Sequence, residues 1–265
     1  MEMEVTRRYI NVKAARSLGQ YFLIDDAVAV RLVEYASVER GDVVLEIGAG
    51  GGSITEKLAD KAKRVYAVEK DKALCETLRA QYENTKNNAE VKVKVIEGDI
   101  MKIELPAFDK VVANIPFSLS SPITYKLLLH DPGFGLAVLL YQKEFAEKMI
   151  AKSGSSLYGR LSVITQALAD TEILELVHRD AFYPSPPVKT VMVRLKEKGQ
   201  IANKEAFFEF VTTAFEHRRK KMRNLFKTRF PGGLALEELE MRPEELSPDD
   251  FVRLFFRIWV NTKEL

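Results

Sequence analysis

Through its first three quarters the chain alternates short apolar runs with longer stretches in which apolar residues recur every three or four positions. The runs are Val43–Ile47, Arg64–Val68, Val91–Ile96, Lys110–Ala113, Leu136–Tyr141, Ile173–Val177 and Thr190–Leu195. Short, bounded and rich in valine and isoleucine, they read as buried strands. Between them Asp26–Tyr35, Ile54–Asp60, Ala73–Gln81, Pro122–Leu129 and Lys143–Ala151 carry helical spacing. This alternation predicts a Rossmann-like α/β domain, a seven-stranded and mostly parallel sheet with helices on both faces.

Near Lys198-Gly199-Gln200 the strand pattern stops. From Lys204 onward only helical periodicity remains, at Phe207, Phe208, Phe210 and Val211, at Met222–Phe226 and at Phe251–Val260. Ser247 as N-cap, Pro248 at the first helical position and Asp249-Asp250 in the first turn predict where the last helix begins. Two domains are expected: 1–198, including an arm over 1–25, and an all-α domain over 199–265.

Composition narrows the setting. A chain of 265 residues at 46% hydrophobic content can bury a full core, and a net charge of +2 confines any nucleic-acid surface to local patches. The single Cys75 excludes an internal disulfide and reads as a small core residue on a helix. His130, His178 and His217 lie on no metal-ligand spacing, and no metal is expected. The acidic Met1-Glu2-Met3-Glu4 start lacks a signal peptide's apolar stretch, and no apolar run reaches membrane-spanning length. A soluble, cytoplasmic monomer is the expectation.

The chemistry sits where strands end. After the first strand comes Glu46-Ile47-Gly48-Ala49-Gly50-Gly51-Gly52, with Ser53 where a dinucleotide fingerprint would carry its third glycine. Glycines at 48, 50 and 52 behind an acidic Glu46 are the spacing usual for S-adenosylmethionine, whose spent form is S-adenosylhomocysteine. Glu69 ends the second strand, about 20 residues on, where a carboxylate binds ribose hydroxyls. Asp99, after the third, suits the cofactor's adenine amino group. Asn114-Ile115-Pro116-Phe117 closes the fourth strand. An amide oxygen, a carbonyl and an aromatic face in succession form a clamp for a planar amine. Acceptors there draw the amine hydrogens out of plane and free the lone pair, so alignment and dipoles do the catalysis without an ionisable base. Methyl transfer to a base's exocyclic nitrogen is the reaction this pattern suggests.

Two basic patches point to phosphate: Arg7, Arg8, Lys13 and Arg16 before the sheet, and Arg218, Arg219, Lys220, Lys221, Arg223, Lys227 and Arg229 in the tail. A base inside a duplex must be extruded to reach Asn114, so a flexible or single-stranded site is the expected target.

As a set, several segments resemble the ribosomal RNA adenine dimethyltransferases. They are Leu18-Gly19-Gln20-Tyr21-Phe22-Leu23, the Glu46–Gly52 loop, Asn114-Ile115-Pro116-Phe117-Ser118, Gln142-Lys143-Glu144, Tyr158-Gly159-Arg160-Leu161-Ser162-Val163, Ala181-Phe182-Tyr183-Pro184 and Arg242-Pro243-Glu244-Glu245-Leu246-Ser247. They run in the family's order from Leu18 to about Phe256. The last resembles the small-subunit type more than the large-subunit type. The resemblance implies dimethylation at N6 of two adjacent adenosines, in a hairpin loop near the 3′ end of small-subunit rRNA, late in subunit assembly. It implies the pre-small-subunit particle as partner. Cofactor contacts would fall on Tyr21, Leu23, Glu46, Gly48, Gly50, Glu69, Asp99, Ile100 and Asn114, with Pro116 in the clamp and Phe117 and Phe182 sandwiching the target base. Bacterial members usually carry Asn in place of Tyr21, and many members Tyr in place of Phe117. The rival readings are a large-subunit rRNA adenine methyltransferase, a non-catalytic RNA-binding or transcription factor on the same scaffold, and a small-molecule methyltransferase.

Overall fold

The structure, a computed structural model, describes residues 21–83, 92–226 and 237–259. Arg7, Arg8, Lys13 and Arg16 of the expected arm, and Lys227 and Arg229 of the tail, lie outside the described residues. The chain forms two compact units, Met1–Lys143 with Glu172–Lys196, and Glu144–Thr171 with Glu197–Leu265.

The first unit is built on strands β2 (Val43–Ile47), β3 (Arg64–Glu69), β4 (Val93–Glu97), β5 (Lys110–Asn114), β6 (Leu136–Gln142), β7 (Ala169–Val177, from Glu172) and β9 (Thr190–Glu197, to Lys196). They form one sheet in the order β4-β3-β2-β5-β6-β9-β7. Pairing is parallel from β4 to β6, and β9 joins β6 antiparallel. The expected seven-stranded, mostly parallel sheet is therefore present. Consecutive strands run outward from β2 to β4 on one side, and from β5 to β6 on the other. The order reverses between β2 and β5, and the crevice at such a switch point is where open α/β sheets bind ligands.

Helices α1 (Asp26–Tyr35), α2 (Ser53–Lys61) and α3 (Lys72–Tyr82) follow the expected helical stretches within a few residues. Alternate strand residues Val44, Val65, Ala67, Val93, Val95, Val112 and Val138 form one continuous core with Val28 and Leu32 of α1, Ile54 and Leu58 of α2, and Leu78 of α3. The two-residue strand period thus supplies one whole face to these helices. Capping matches the local sequence: Asp25 Oδ1 accepts from Ala27 N–H at 2.8 Å to start α1, and Asp71 from Leu74 N–H at 3.1 Å to start α3. A two-stranded ribbon joins β1 (Phe22–Leu23) to β8 (Phe182–Tyr183), with Phe22 opposite Tyr183 and Leu23 opposite Phe182.

The second unit contains α5 (Lys143–Met149, from its second residue), α6 (Arg160–Leu168), α7 (Lys204–Glu216), α8 (Met222–Leu225) and α9 (Pro248–Trp259). Phe210 is the centre of its core, 4.8 Å from Phe226 and 6.2 Å from Phe251 between ring centroids, and Phe207 meets Phe255 at 5.3 Å. The expected boundary at 198 assigned residues 144–171 to the sheet domain. Here they group with the C-terminal helices, because α6 packs on α7 and α9. Tyr158 adds to this grouping, its buried hydroxyl donating to the Leu246 carbonyl at 2.6 Å.

Candidate active site

At the switch point, the register that pairs Ile47 with Ala113 brings the loop after β2 level with the end of β5. The loop turns at once into α2, and Gly48, Gly50 and Gly52 take φ values of +71°, +56° and +85°. Gly50 shows why a side chain is excluded there. Besides the left-handed backbone, a Cβ would sit 3.2 Å from the Phe22 ring.

The loop borders a cavity of about 290 Å³, lined among others by Tyr21, Phe22, Gly48, Gly50, Glu69, Asp99, Ile100, Asn114, Pro116 and Phe117. The glycine loop, two strand-end acids and the amine clamp thus share a single space. Its volume is near the lower end of the roughly 300–1,000 Å³ of ligand pockets.

Backbone donors fix Glu69. Its Oε2 accepts from Gly50 N–H at 2.8 Å, and its Oε1 from Lys70 and Asp71 N–H at 2.7 and 2.9 Å. Three of roughly four lone-pair directions are used, which leaves one for a hydroxyl. Behind it the buried Cys75 thiol donates to the Glu69 carbonyl at 3.4 Å, and burial pushes that thiol's pKa up to about 11. Asp99 accepts from Met101 N–H at 3.0 Å and from Lys70 Nζ at 3.0 Å, and these donors hold its carboxyl below the usual carboxylate range.

At the other end Asn114 donates from Nδ2 to the Tyr21 carbonyl at 2.6 Å, which fixes the amide and leaves Oδ1 as an acceptor. The Pro116 carbonyl already accepts from Leu119 N–H at 2.8 Å. Phe117 begins a 3-10 turn, Phe117–Leu119, and its ring lies 5.1 Å from that of Tyr21 at 38°. Tyr21, where bacterial members carry Asn, thus meets Asn114 through its carbonyl and Phe117 through its ring.

Three expected site residues stand elsewhere. Glu46 shares the helix-covered face of β2 with Val44, two residues away. It is 1% exposed, accepts from the Thr55 hydroxyl of α2 at 2.6 Å, and burial raises its pKa to about 8. Leu23 and Phe182 are cross-strand partners and both belong to the core, at 4% and 2% exposure. Tyr183, opposite the cavity-lining Phe22, is 54% exposed. Phe22, Lys70 and Met101 line the cavity without having been expected there. Phe22 belongs to a strand of two residues, too short for alternation to place it, and no local signal in the sequence marks it.

The described tail cations lie in the second unit. Arg218 pairs with Glu244, Arg223 with Glu240, and Lys221 Nζ is 3.2 Å from Glu240. Arg219 and Lys220 have no carboxylate partner among the described residues. Among those residues, too, no helix is long and apolar enough to cross a membrane.

Residues 11–258 match the family described as "Ribosomal RNA adenine dimethylase". The "Probable ribosomal RNA small subunit methyltransferase A" of Methanothermobacter thermautotrophicus is 41% identical, over 95% of this chain and 93% of the relative. Its namesake in Pyrococcus furiosus is 42% identical over 82% and 77%. Among solved structures, a dimethyladenosine transferase from Plasmodium falciparum superposes with a TM-score of 0.76 at 28% identity, covering 92% of this chain and 98% of that one. The 23S rRNA methyltransferase ErmE does so at 0.64 and 26%, covering 89% and 99%.

Proposed function

The chain belongs to the ribosomal RNA adenine dimethylase family, and from that premise we propose that it is the enzyme that dimethylates N6 of two adjacent adenosines in small-subunit rRNA. The target we infer is a hairpin loop near the 3′ end, modified late in small-subunit assembly, in the cytoplasm and by a monomer. Relatives at 41–45% identity named for the small subunit favour this over the large-subunit reading.

The observation that carries the reading is the single cavity joining the glycine loop, Glu69, Asp99 and Asn114–Phe117. The donor set suits S-adenosylmethionine: a backbone cradle that a Cβ at Gly50 would crowd, and carboxylates for ribose and adenine. Gly48, Gly50, Glu69, Asp99 and Ile100 would hold that cofactor, which when bound supplies a methyl group on a cationic sulfur. Asn114 Oδ1 and the Ile115 carbonyl accept the two N6 hydrogens, turning the amine out of the ring plane and exposing its lone pair. The Phe117 face stacks on the base. No tuned base is needed, because nitrogen becomes acidic as it is alkylated and releases its proton to water. Catalysis is positioning and fixed dipoles.

Incubation with labelled S-adenosylmethionine and isolated ribosomal subunits tests this, with mass spectrometry of rRNA nucleosides from cells lacking the protein. We expect label on the small subunit as N6,N6-dimethyladenosine, and loss of that nucleoside in the deleted strain. Label confined to the large subunit would overturn the target. Cofactor binding without any transfer would favour the non-catalytic reading.

A further inference from the structure

Helix α4 (Ser120–Leu128) begins directly after the 3-10 turn that carries Phe117, and brings in a cation with no part in the chemistry above. Lys126, in its last turn, is half-buried and donates from Nζ to the Ile103 carbonyl at 2.6 Å. Burial pulls the pKa of this ammonium down, and the nearby charge of Asp99 opposes the shift. A lysine free to snorkel keeps its head in water. This one is held on a backbone carbonyl.

Ile103 closes the turn that presents Asp99. Its N–H and that of Lys102 donate to the Asp99 carbonyl at 3.1 and 2.8 Å. The turn is tight: a Cβ on Gly98 would lie 2.7 Å from Ile103 Cγ2. Asp99, Ile100 and Met101, inside this turn, line the cavity. Lys70 already takes the direct ion pair with Asp99, Nζ to Oδ2 at 3.0 Å. The two lysines therefore do different work, one on the carboxylate and one on the turn beneath it.

We propose that Lys126 is a positioning residue for the adenine end of the cofactor cavity: it pins the turn that carries Asp99 from the helix that also follows the amine clamp. One element then sets the geometry of both ends of the site. The proposal rests on the reading of the cavity as an S-adenosylmethionine site.

The test is calorimetry of S-adenosylhomocysteine on the full chain and on Lys126→Met, Lys126→Arg and Gly98→Ala, with transfer kinetics and thermal unfolding without ligand. Methionine keeps the apolar stem and removes the donor. The expected result is a rise of roughly tenfold in Kd and in KM for S-adenosylmethionine, with kcat and RNA affinity near wild type and most of the loss restored by arginine. A purely structural lysine would lower the unfolding midpoint and leave Kd where it was, and that outcome overturns the proposal. Gly98→Ala crowds Ile103 without touching Lys126, so an unchanged Kd there overturns it even should Lys126→Met not fold. Failure of the wild-type chain to bind S-adenosylhomocysteine would instead sink the cofactor reading itself.

Discussion

Glu46 and Glu69 stand at the ends of neighbouring strands, and their surroundings assign them opposite roles. Glu69 is held by three backbone N–H groups at the cavity wall, whereas Glu46 is buried beneath α2 with Thr55. In the sequence the two look equivalent, because an acid two residues before a glycine loop carries no mark of the face it points to. Parity along β2 decides it, and parity becomes informative once Val44 is known to face α1–α3. The proton on Glu46 has a consequence. Burial raises its pKa from 4.5 to about 8, so between those values the folded chain keeps a proton that the unfolded chain releases. Stability contributed by this group is complete below pH 4.5 and is lost as pH rises through the window. Glu46→Gln keeps an acceptor for Thr55 and removes the titration. Its melting temperature should therefore fall less than wild type's between pH 5 and pH 8, as read by scanning fluorimetry, whereas parallel curves would mean that Glu46 is not protonated in the fold. Asn114 was legible because an Asn-X-Pro-aromatic segment has few other uses at a strand end. Asn114→Ala removes the acceptor Oδ1 and the anchor on Tyr21 together. Removing one preorganised polar group costs about 10²–10³ in kcat elsewhere, so a fall of at least that size is expected with RNA affinity near normal. Activity close to wild type would reject the clamp.

Elements with strong periodicity were the ones the sequence revealed. The parallel strands and α1 to α3 fall within a few residues of their expected bounds, since buried strands and amphipathic helices each carry their own spacing. Two kinds of element were hidden. Strands β1 and β8 are two residues long, too short for any period to register. Helix α6 is Arg-Leu-Ser-Val-Ile-Thr-Gln-Ala-Leu, in which valine, isoleucine and threonine favour strand and the N-cap is Gly159. It is stabilised by hydrogen bonds to residues distant in sequence: Ser162 Oγ donates to the Lys148 carbonyl at 2.6 Å, and Thr165 Oγ1 to the Met149 carbonyl at 2.8 Å. That hidden helix is also why the domain boundary looked simpler than it is. Helix α9 is the opposite case, its start written in Ser247-Pro248-Asp249-Asp250. Asp250 N–H donates to Ser247 Oγ at 3.2 Å, and Ser247 N–H donates back to Asp250 Oδ2 at 2.8 Å. This reciprocal cap is a capping box with aspartate in the third position. Ser247→Ala should cost about 1 kcal/mol, lowering the melting temperature by about 2–4 °C for a chain of this size. No change in a calorimetric scan would show that the cap is redundant with the Phe251 and Phe255 packing.

For the molecule as a whole, charge decides where RNA can be held, because a net charge of +2 gives no global attraction. The run Arg218–Arg223 reads in sequence as a block of cations broken only by Met222 and containing no acid. Folding sends carboxylates to it from about twenty residues further on, Glu240 to Lys221 and Arg223, and Glu244 to Arg218. No local pattern could have disclosed this, since the pairs depend on how α8 and the turn before α9 meet. Exposed ion pairs contribute little to stability, yet each carboxylate must be displaced or outcompeted before its cation can serve a phosphate. Arg219 and Lys220 carry no such burden among the described residues. Within the Arg218–Arg223 run they are therefore the two expected to meet a nucleic-acid backbone first. Neutralising them is a cleaner experiment than reversing Arg218 and Lys221, where new glutamates would repel Glu244 and Glu240 and perturb the fold. In Arg219→Gln with Lys220→Gln, the slope of log K for an rRNA hairpin against log salt should flatten by about 0.7 for each single-strand phosphate that is no longer neutralised. The deficit should be largest at low salt and shrink as screening rises, while S-adenosylhomocysteine affinity, read on the same preparation, stays at the wild-type value. A slope indistinguishable from wild type would mean that these two cations are a solvated face, and that the backbone is held by other groups.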